Sequence, residues 1–162
     1  MGCELPLILH PSSKLYNVMF QGYLDIVMYH EPTNTIKIID IKTSKQGRSK
    51  KEKSDENKQF QLILYKKYFS ETYNLPLENI EIEFMIVKRK PFESDKFVIK
   101  RVQLFKPASG KVKLNKVSKS IEEFIEQAFD RNGYKDVEHQ PTPHKNCNWC
   151  PFHKTHLCSA TY

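Results

Sequence analysis

The hydrophobic period of this chain changes once in its first half, and that change excludes most folds. From Val18 to Tyr29, and again from Thr35 to Thr43, apolar and polar residues interleave as they do in strands, and β-branched Ile36, Ile38 and Ile41 favour extended backbone. The segment EPTN, Glu31 to Asn34, separates the two runs and predicts a turn, hence an antiparallel hairpin. From Lys58 to Tyr73 the period becomes helical: Phe60, Leu64 and Tyr68 recur on one track, and Gln61, Tyr65 and Phe69 on its neighbour. A first helix that arrives only after three strands is an uncommon arrangement, and so an informative one.

The third strand is Cys3 to Leu9, stopped by a turn at His10 to Ser13. Between hairpin and helix, Ser44 to Lys58 is almost wholly polar, with six Lys or Arg against three acids. It predicts a mobile basic loop or the frayed start of a helix. Leu75-Pro76 ends the helix. Ile80 to Arg89 and Lys96 to Phe105 predict two more strands, with a turn beginning at Lys90-Pro91. Ser118 to Phe129 predicts a second helix, capped by Ser118 or Ser120, with Glu122 and Glu123 in the first turn where the helix dipole favours acids. The order β-β-β-α-β-β-α gives an α/β fold, a mixed sheet flanked by helices. Residues 1–140 form the expected core and residues 141–162 a cysteine-bearing tail packed on it.

At 162 residues the chain suits one domain with a real core. Its net charge of +7 and pI near 9.1 are compatible with a polyanionic partner such as DNA or RNA. No apolar run approaches the roughly 20 residues that cross a membrane. The start MGCELPLILHP lacks the basic opening and long apolar region of a signal peptide, and the serine or threonine expected downstream of a lipidated Gly2. An intracellular protein is expected. In a reducing compartment its four cysteines read as ligands or thiols rather than disulfides.

A turn centred between Pro32 and Thr33 sets Asp25 nearly opposite Asp40. Two facing carboxylates repel, so the pairing needs a reason, and a divalent cation is one. Mg²⁺ and Mn²⁺ take hard oxygen ligands, often one or two carboxylates plus a substrate phosphate. With a strand period of two, Lys42 projects on the same side as Asp40, beside that ion, where it can orient a water or offset negative charge. The plainer alternative makes Asp25 and Asp40 solvent-facing polar positions and Lys42 an ordinary salt-bridge partner. Gln61 and Tyr65, four apart, share a helix face. That is either polar work at a site or a Gln at the helix edge beside a packed Tyr.

Gly22–Asp25 (GYLD), Asp40–Thr43 (DIKT) and Gln61-x-x-x-Tyr65, in that order, resemble the motifs of the PD-(D/E)XK nuclease superfamily, in its RecB-like exonuclease branch. The resemblance implies a restriction-endonuclease-like core and a metal-dependent DNA nuclease, most often an exonuclease in recombination or genome processing. It implies Mg²⁺ or Mn²⁺ bound by Asp25, Asp40 and the Ile41 carbonyl, with Lys42 as catalytic lysine. Gln61 and Tyr65 would contact DNA near the scissile phosphate. Lys45, Arg48, Lys50, Lys51 and Lys53 would meet the DNA backbone beside the site, with little base specificity and steep salt dependence. A helicase or other recombination protein is an expected partner. Relatives carry a helix before the first strand, with a glutamate or histidine that completes the metal site. Only nine residues precede His10, so that helix is expected to be absent, and Glu4 and His10 are weak substitutes. The chain then reads as a truncated product, a fragment needing a partner or a reduced variant, and a non-catalytic DNA-binding subunit is the alternative function.

In the tail, Cys147 and Cys150 form a Cys-x-x-Cys, and Cys158 follows after seven residues. That short spacing lets two thiolates turn onto one metal ion or onto two irons of a cluster. The same family resemblance implies a [4Fe–4S] cluster on Cys3, Cys147, Cys150 and Cys158. Zinc on the three tail cysteines with His153 or His156 is the rival, and free buried thiols are the third possibility. A phage origin, with function in the cytoplasm of a bacterial host, is the expectation from the style of the tail.

Overall fold

Strands β1 (Gly2–Leu9), β2 (Phe20–His30), β3 (Thr35–Ser44), β4 (Ile80–Lys88) and β5 (Val102–Phe105) lie side by side in chain order in one sheet. Helices α1 (Lys50–Ser54) and α2 (Asn57–Tyr73) fill the connection from β3 to β4, and α3 (Lys111–Ala128) follows β5. The computed structural model describes residues 2–9, 17–90, 100–135, 145–156 and 158. β3 and β4 run parallel, while the other neighbouring pairs are antiparallel. Parallel strands cannot be joined by a tight turn, and α2 supplies the crossover. The result is the expected mixed α/β fold with a restriction-endonuclease-like core.

One apolar cluster holds the sheet to α2. Leu7, Leu24, Ile38, Leu62, Ile63, Tyr68, Phe84 and Ile86 are almost wholly buried in it. α2 is buried on more than one side because it contacts β1, β3 and β4 as well as α3. It stops at Asn74, whose left-handed backbone (φ 50°) lets its amide donate to the Ser70 carbonyl. A short polar residue tolerates that conformation where most others are strained.

The β2–β3 hairpin has the predicted register, running from His30↔Thr35 to Ile26↔Ile39. A single 3₁₀ turn, Glu31–Thr33, closes it, and Asn34 follows at φ 48°. One step further, at Asp25, the β2–β3 ladder ends and the β1–β2 ladder skips a pair. Cys3↔Ile26 and Leu5↔Leu24 flank a gap where Glu4 and Asp25 would pair, and Glu4 has φ 50°. Burial in β2 passes from Leu24 to Val27, although both belong to the same core. Residues an odd number apart on a regular strand face opposite ways, so the strand turns over at Asp25–Ile26. This break sits beside the carboxylate that the sequence singled out.

Several expectations change. α3 begins at Lys111, seven residues before Ser118, and neither Ser118 nor Ser120 caps it. Ser118 Oγ instead donates to the Leu114 carbonyl from within the helix. The buried stripe Leu114, Val117 and Ile125, with Ile121 against it, fixes the helix face and outweighs the capping signal. β5 keeps only four residues of its predicted span; Lys100 and Arg101 lie outside any strand, and 96–99 lie outside the described residues. The polar segment after β3 contains α1, set by a reciprocal cap between Ser49 and Glu52. The turns expected at His10–Ser13 and at Pro91, and the boundary between 140 and 141, also fall outside the described residues.

Candidate active site

The second half of β3 carries Asp40 and Lys42 on the face that meets α2. Asp40 is buried, at 3% exposed, while Lys42 is half-buried. The Lys42 ammonium donates to Asp40 Oδ1 at 3.1 Å and to Gln61 Oε1 at 3.1 Å, and Gln61 Nε2 donates to the Tyr65 hydroxyl at 2.8 Å. Asp40 Oδ2 is buried and ion-paired with the same ammonium at 2.9 Å, and it accepts no hydrogen bond among the described residues. From β2, Asp25 Oδ2 accepts the Ile41 amide at 2.6 Å. Burial pushes the Asp40 carboxyl above its ordinary pKa. The hydrogen bond and charge of Lys42 work against that, Asp25 adds to it, and Arg48 counters weakly.

Gly22 has a steric reason to be glycine. A Cβ there would lie 2.7 Å from Tyr65 Cε1, closer than real Cβ contacts come. The tyrosine ring therefore rests on the β2 backbone, which holds its hydroxyl where Gln61 reaches it. Gly22, Asp25, Asp40, Lys42, Gln61 and Tyr65, from three elements, form one contiguous arrangement.

The basic residues divide into two groups. Lys45, Lys50 and Lys51 are exposed. Arg48 is half-buried, with its guanidinium 5.0 Å from the centre of the Phe84 ring, and Phe84 is the β4 partner of Asp40. Gln103 pins its backbone, accepting the Arg48 amide at 2.8 Å and donating to the Arg48 carbonyl at 3.3 Å. Arg48 Nη1 is buried with no hydrogen-bond partner among the described residues. Lys53 is also half-buried, 5.7 Å from the Phe105 ring. Reading the sequence missed Arg89 and Lys90, which line a small open cavity with Lys45. They arrive there because Arg89 and Lys90 donate their amides to the carbonyls of Ser44 and Lys45, continuing the parallel β3–β4 pairing. No local pattern announces a parallel partner some 45 residues away.

The model of the PD-(D/E)XK nuclease superfamily matches residues 1–155. The chain belongs to the PD-(D/E)XK nuclease superfamily. Among solved structures it is similar to the crystal structure of SSO0001, at 17% identity with a TM-score of 0.46, over 93% of this chain and 57% of that one. The chain thus spans little more than half the length of that protein. No curated protein matches it.

For a PD-(D/E)XK chain, the test of a catalytic cation is the donor set. The buried Asp40 Oδ2, whose partner is the Lys42 ammonium alone among the described residues, and the Asp25 carboxylate offer the hard oxygens that Mg²⁺ and Mn²⁺ prefer. Among the described residues no group of three or more His, Cys, Asp and Glu is gathered, so two carboxylates are the acidic complement. That fits an ion that keeps several waters and takes substrate oxygens. The tail fits less well. Cys147 and Cys150 bracket a single turn, closed by a Cys150 amide to Cys147 carbonyl bond of 3.0 Å, and the Cys158 amide donates to the Thr155 carbonyl at 3.1 Å. None of the three forms a disulfide, and they and the nearby histidines do not assemble into a metal-holding group among the described residues. His153 Nε2 is buried without a hydrogen-bond partner among the described residues. Cys3 lies in β1, and its thiol falls outside the described residues.

Proposed function

We propose that this chain hydrolyses phosphodiester bonds in DNA with Mg²⁺ or Mn²⁺. The observation that carries this reading is the continuous chain of polar contacts from Asp40 through Lys42 and Gln61 to Tyr65, beside Asp25. Asp25 and Asp40 would hold the cation, with the Ile41 carbonyl as a further ligand. When bound, the ion supplies Lewis-acid stabilisation of a phosphoryl oxygen and a more acidic water. Lys42 is held between Asp40 and Gln61, where it orients the attacking water and offsets negative charge growing at phosphorus. Gln61 and Tyr65 fix that ammonium and contact the strand near the scissile phosphate. Lys45, Lys50 and Lys51, with Arg89 and Lys90, meet neighbouring phosphates, while Arg48 and Lys53 act from a more enclosed position.

An exonuclease of the RecB-like branch, working in recombination or genome processing beside a helicase, is the role this proposal favours. A phage origin belongs with it. The tail cysteines and Cys3 would hold a structural [4Fe–4S] cluster, or the tail cysteines with His153 or His156 a zinc ion. A brown protein absorbing near 400 nm selects the first, and a colourless one with stoichiometric zinc the second. A second reading, a non-catalytic DNA-binding subunit, is favoured by the two-carboxylate acidic set.

One assay separates the functional readings. End-labelled single- and double-stranded DNA is incubated with the purified protein in Mn²⁺ and in EDTA. Metal-dependent degradation that Asp40→Ala and Lys42→Ala abolish supports the nuclease. DNA binding with no cleavage by the wild type under either condition establishes the subunit instead.

A further inference from the structure

Lys66, on the flank of α2 that faces α3, is a buried cation without a counter-ion among the described residues. It is 9% exposed, and among the described residues its hydrogen-bond partner is the Ser109 hydroxyl, at a long 3.4 Å. Among the described residues no carboxylate lies within ion-pair distance; Glu78 and Glu81 act on it only through longer-range charge. Buried charges are ordinarily paired.

The surroundings of Lys66 suit an anion. Lys66, Lys111, Ser109 and the exposed carboxylate Glu78 line a cavity of about 510 Å³, with Leu77 and Leu114 as its apolar wall. The cavity lies toward the end of the sheet away from Asp40. Glu78 just precedes β4, whose Ile80 pairs with Ile36, whereas Asp40 pairs with Phe84 further along the same strands. α3, 18 residues long, begins at this cavity. Its cap, Gly110, has no side chain to satisfy the leading amides, and its first turn contains no acid; Lys113 there is paired with Glu56, whereas Lys111 faces the cavity. The first amides of a helix lack internal partners and present partial positive charge, which cations in the first turn oppose and a bound anion relieves.

We propose that this cavity binds a phosphate monoester dianion, with Lys66 as its fixed cation and Ser109 and the leading amides of α3 as its donors. Burial holds the Lys66 pKa below that of an ordinary lysine, and a bound dianion restores its charged form. The cavity exceeds what a lone phosphate fills, which favours a phosphate carried on a nucleoside or on the end of a nucleic acid strand. The site stands apart from the nuclease reading and does not depend on it.

The test uses the full chain in EDTA, with ionic strength held constant by KCl, and reads binding by calorimetry and melting temperature. The probes are inorganic phosphate, a nucleoside 5′-monophosphate, and one oligonucleotide with and without a 5′-phosphate. At least one phosphorylated probe is expected to bind and raise the melting temperature. Lys66→Met should weaken that binding about tenfold or more, and Ser109→Ala should weaken it less, as expected for loss of a charge-assisted contact against a neutral one. Glu78→Gln should tighten it by removing a repulsive carboxylate. The tightest-binding probe identifies the source of the phosphate. The inference is overturned if no probe binds beyond the KCl control, or if binding is the same in Lys66→Met. It is overturned equally if Glu78→Gln destabilises the unliganded protein and leaves phosphate affinity unchanged, which makes Glu78 the counter-ion of Lys66. Should Lys66→Met fail to fold, the Ser109→Ala and Glu78→Gln affinities decide between these outcomes.

Discussion

The Ile41 amide donates to Asp25 Oδ2 across 2.6 Å, so the carboxylate of one motif closes the backbone of the other. The bond forms where the β1–β2 and β2–β3 ladders skip Asp25, and a side chain takes the place of a backbone acceptor. Asparagine can replace Asp25 as an acceptor but is a much poorer ligand for a hard cation. Asp25→Asn is therefore expected to melt near the wild type, while Asp25→Ala loses about 1 kcal/mol. Both should lose metal-dependent DNA cleavage. Denaturant unfolding beside the nuclease assay checks the split, and an active Asp25→Asn protein would remove Asp25 from the proposed metal site.

The second prediction concerns Gly22 and Tyr65. An alanine at 22 overlaps the tyrosine ring, which must shift and pull its hydroxyl from Gln61. Gly22→Ala should cost about 1–3 kcal/mol, as overpacking does. In the Tyr65→Ala background the same change should cost little, giving a coupling of about 1 kcal/mol or more in a double-mutant cycle. Additive effects would mean that the ring is not held on the β2 backbone.

Electrostatics between the helices gives a pH prediction. Glu56, at the start of α2, pairs with Lys113 and Lys116 of α3, and their hydrogen bonds hold its pKa down to about 2 from 4.5. A depressed carboxyl binds fewer protons in the folded state, so its contribution is present above pH 4.5 and disappears as pH falls through about 2. Glu56→Gln should lower the melting temperature at neutral pH, and the two proteins should converge near pH 2. A difference that persists undiminished at pH 2 would assign the effect to packing rather than charge.

For the basic segment, replacing Lys45, Lys50 and Lys51 together by alanine should weaken duplex binding and flatten its salt dependence by roughly 2–3 in log–log slope. Melting temperature should barely move, because all three side chains are exposed. Arg48→Met should behave differently. It removes a guanidinium stacked on Phe84 beside Asp40 and is expected to alter cleavage more than the salt slope. Equal effects of the two variants on both readouts would merge Arg48 with the surface lysines.

Local sequence carried the hairpin, its register and α2, because each rests on short-range chemistry: a turn, an alternation, a helical period. It also brought Asp40, Lys42, Gln61 and Tyr65 to notice as types and spacings. What it did not carry depends on distant pairing. The parallel β3–β4 contact delivers Arg89 and Lys90 to Lys45, and the turnover of β2 at Asp25 breaks an alternation that reads as continuous. The start of α3 was obscured by serines and acids that mimic a cap, whereas burial of Leu114 and Val117 sets its true extent.

The contact between Gly22 and the Tyr65 ring also bears on how this chain can vary over generations. A side chain at position 22 costs least once position 65 has shrunk, and a tyrosine at 65 costs least while position 22 is glycine. The two positions are therefore expected to change together, in an order that the overlap favours. The glycine thus preserves in the strand an imprint of a ring that belongs to the helix.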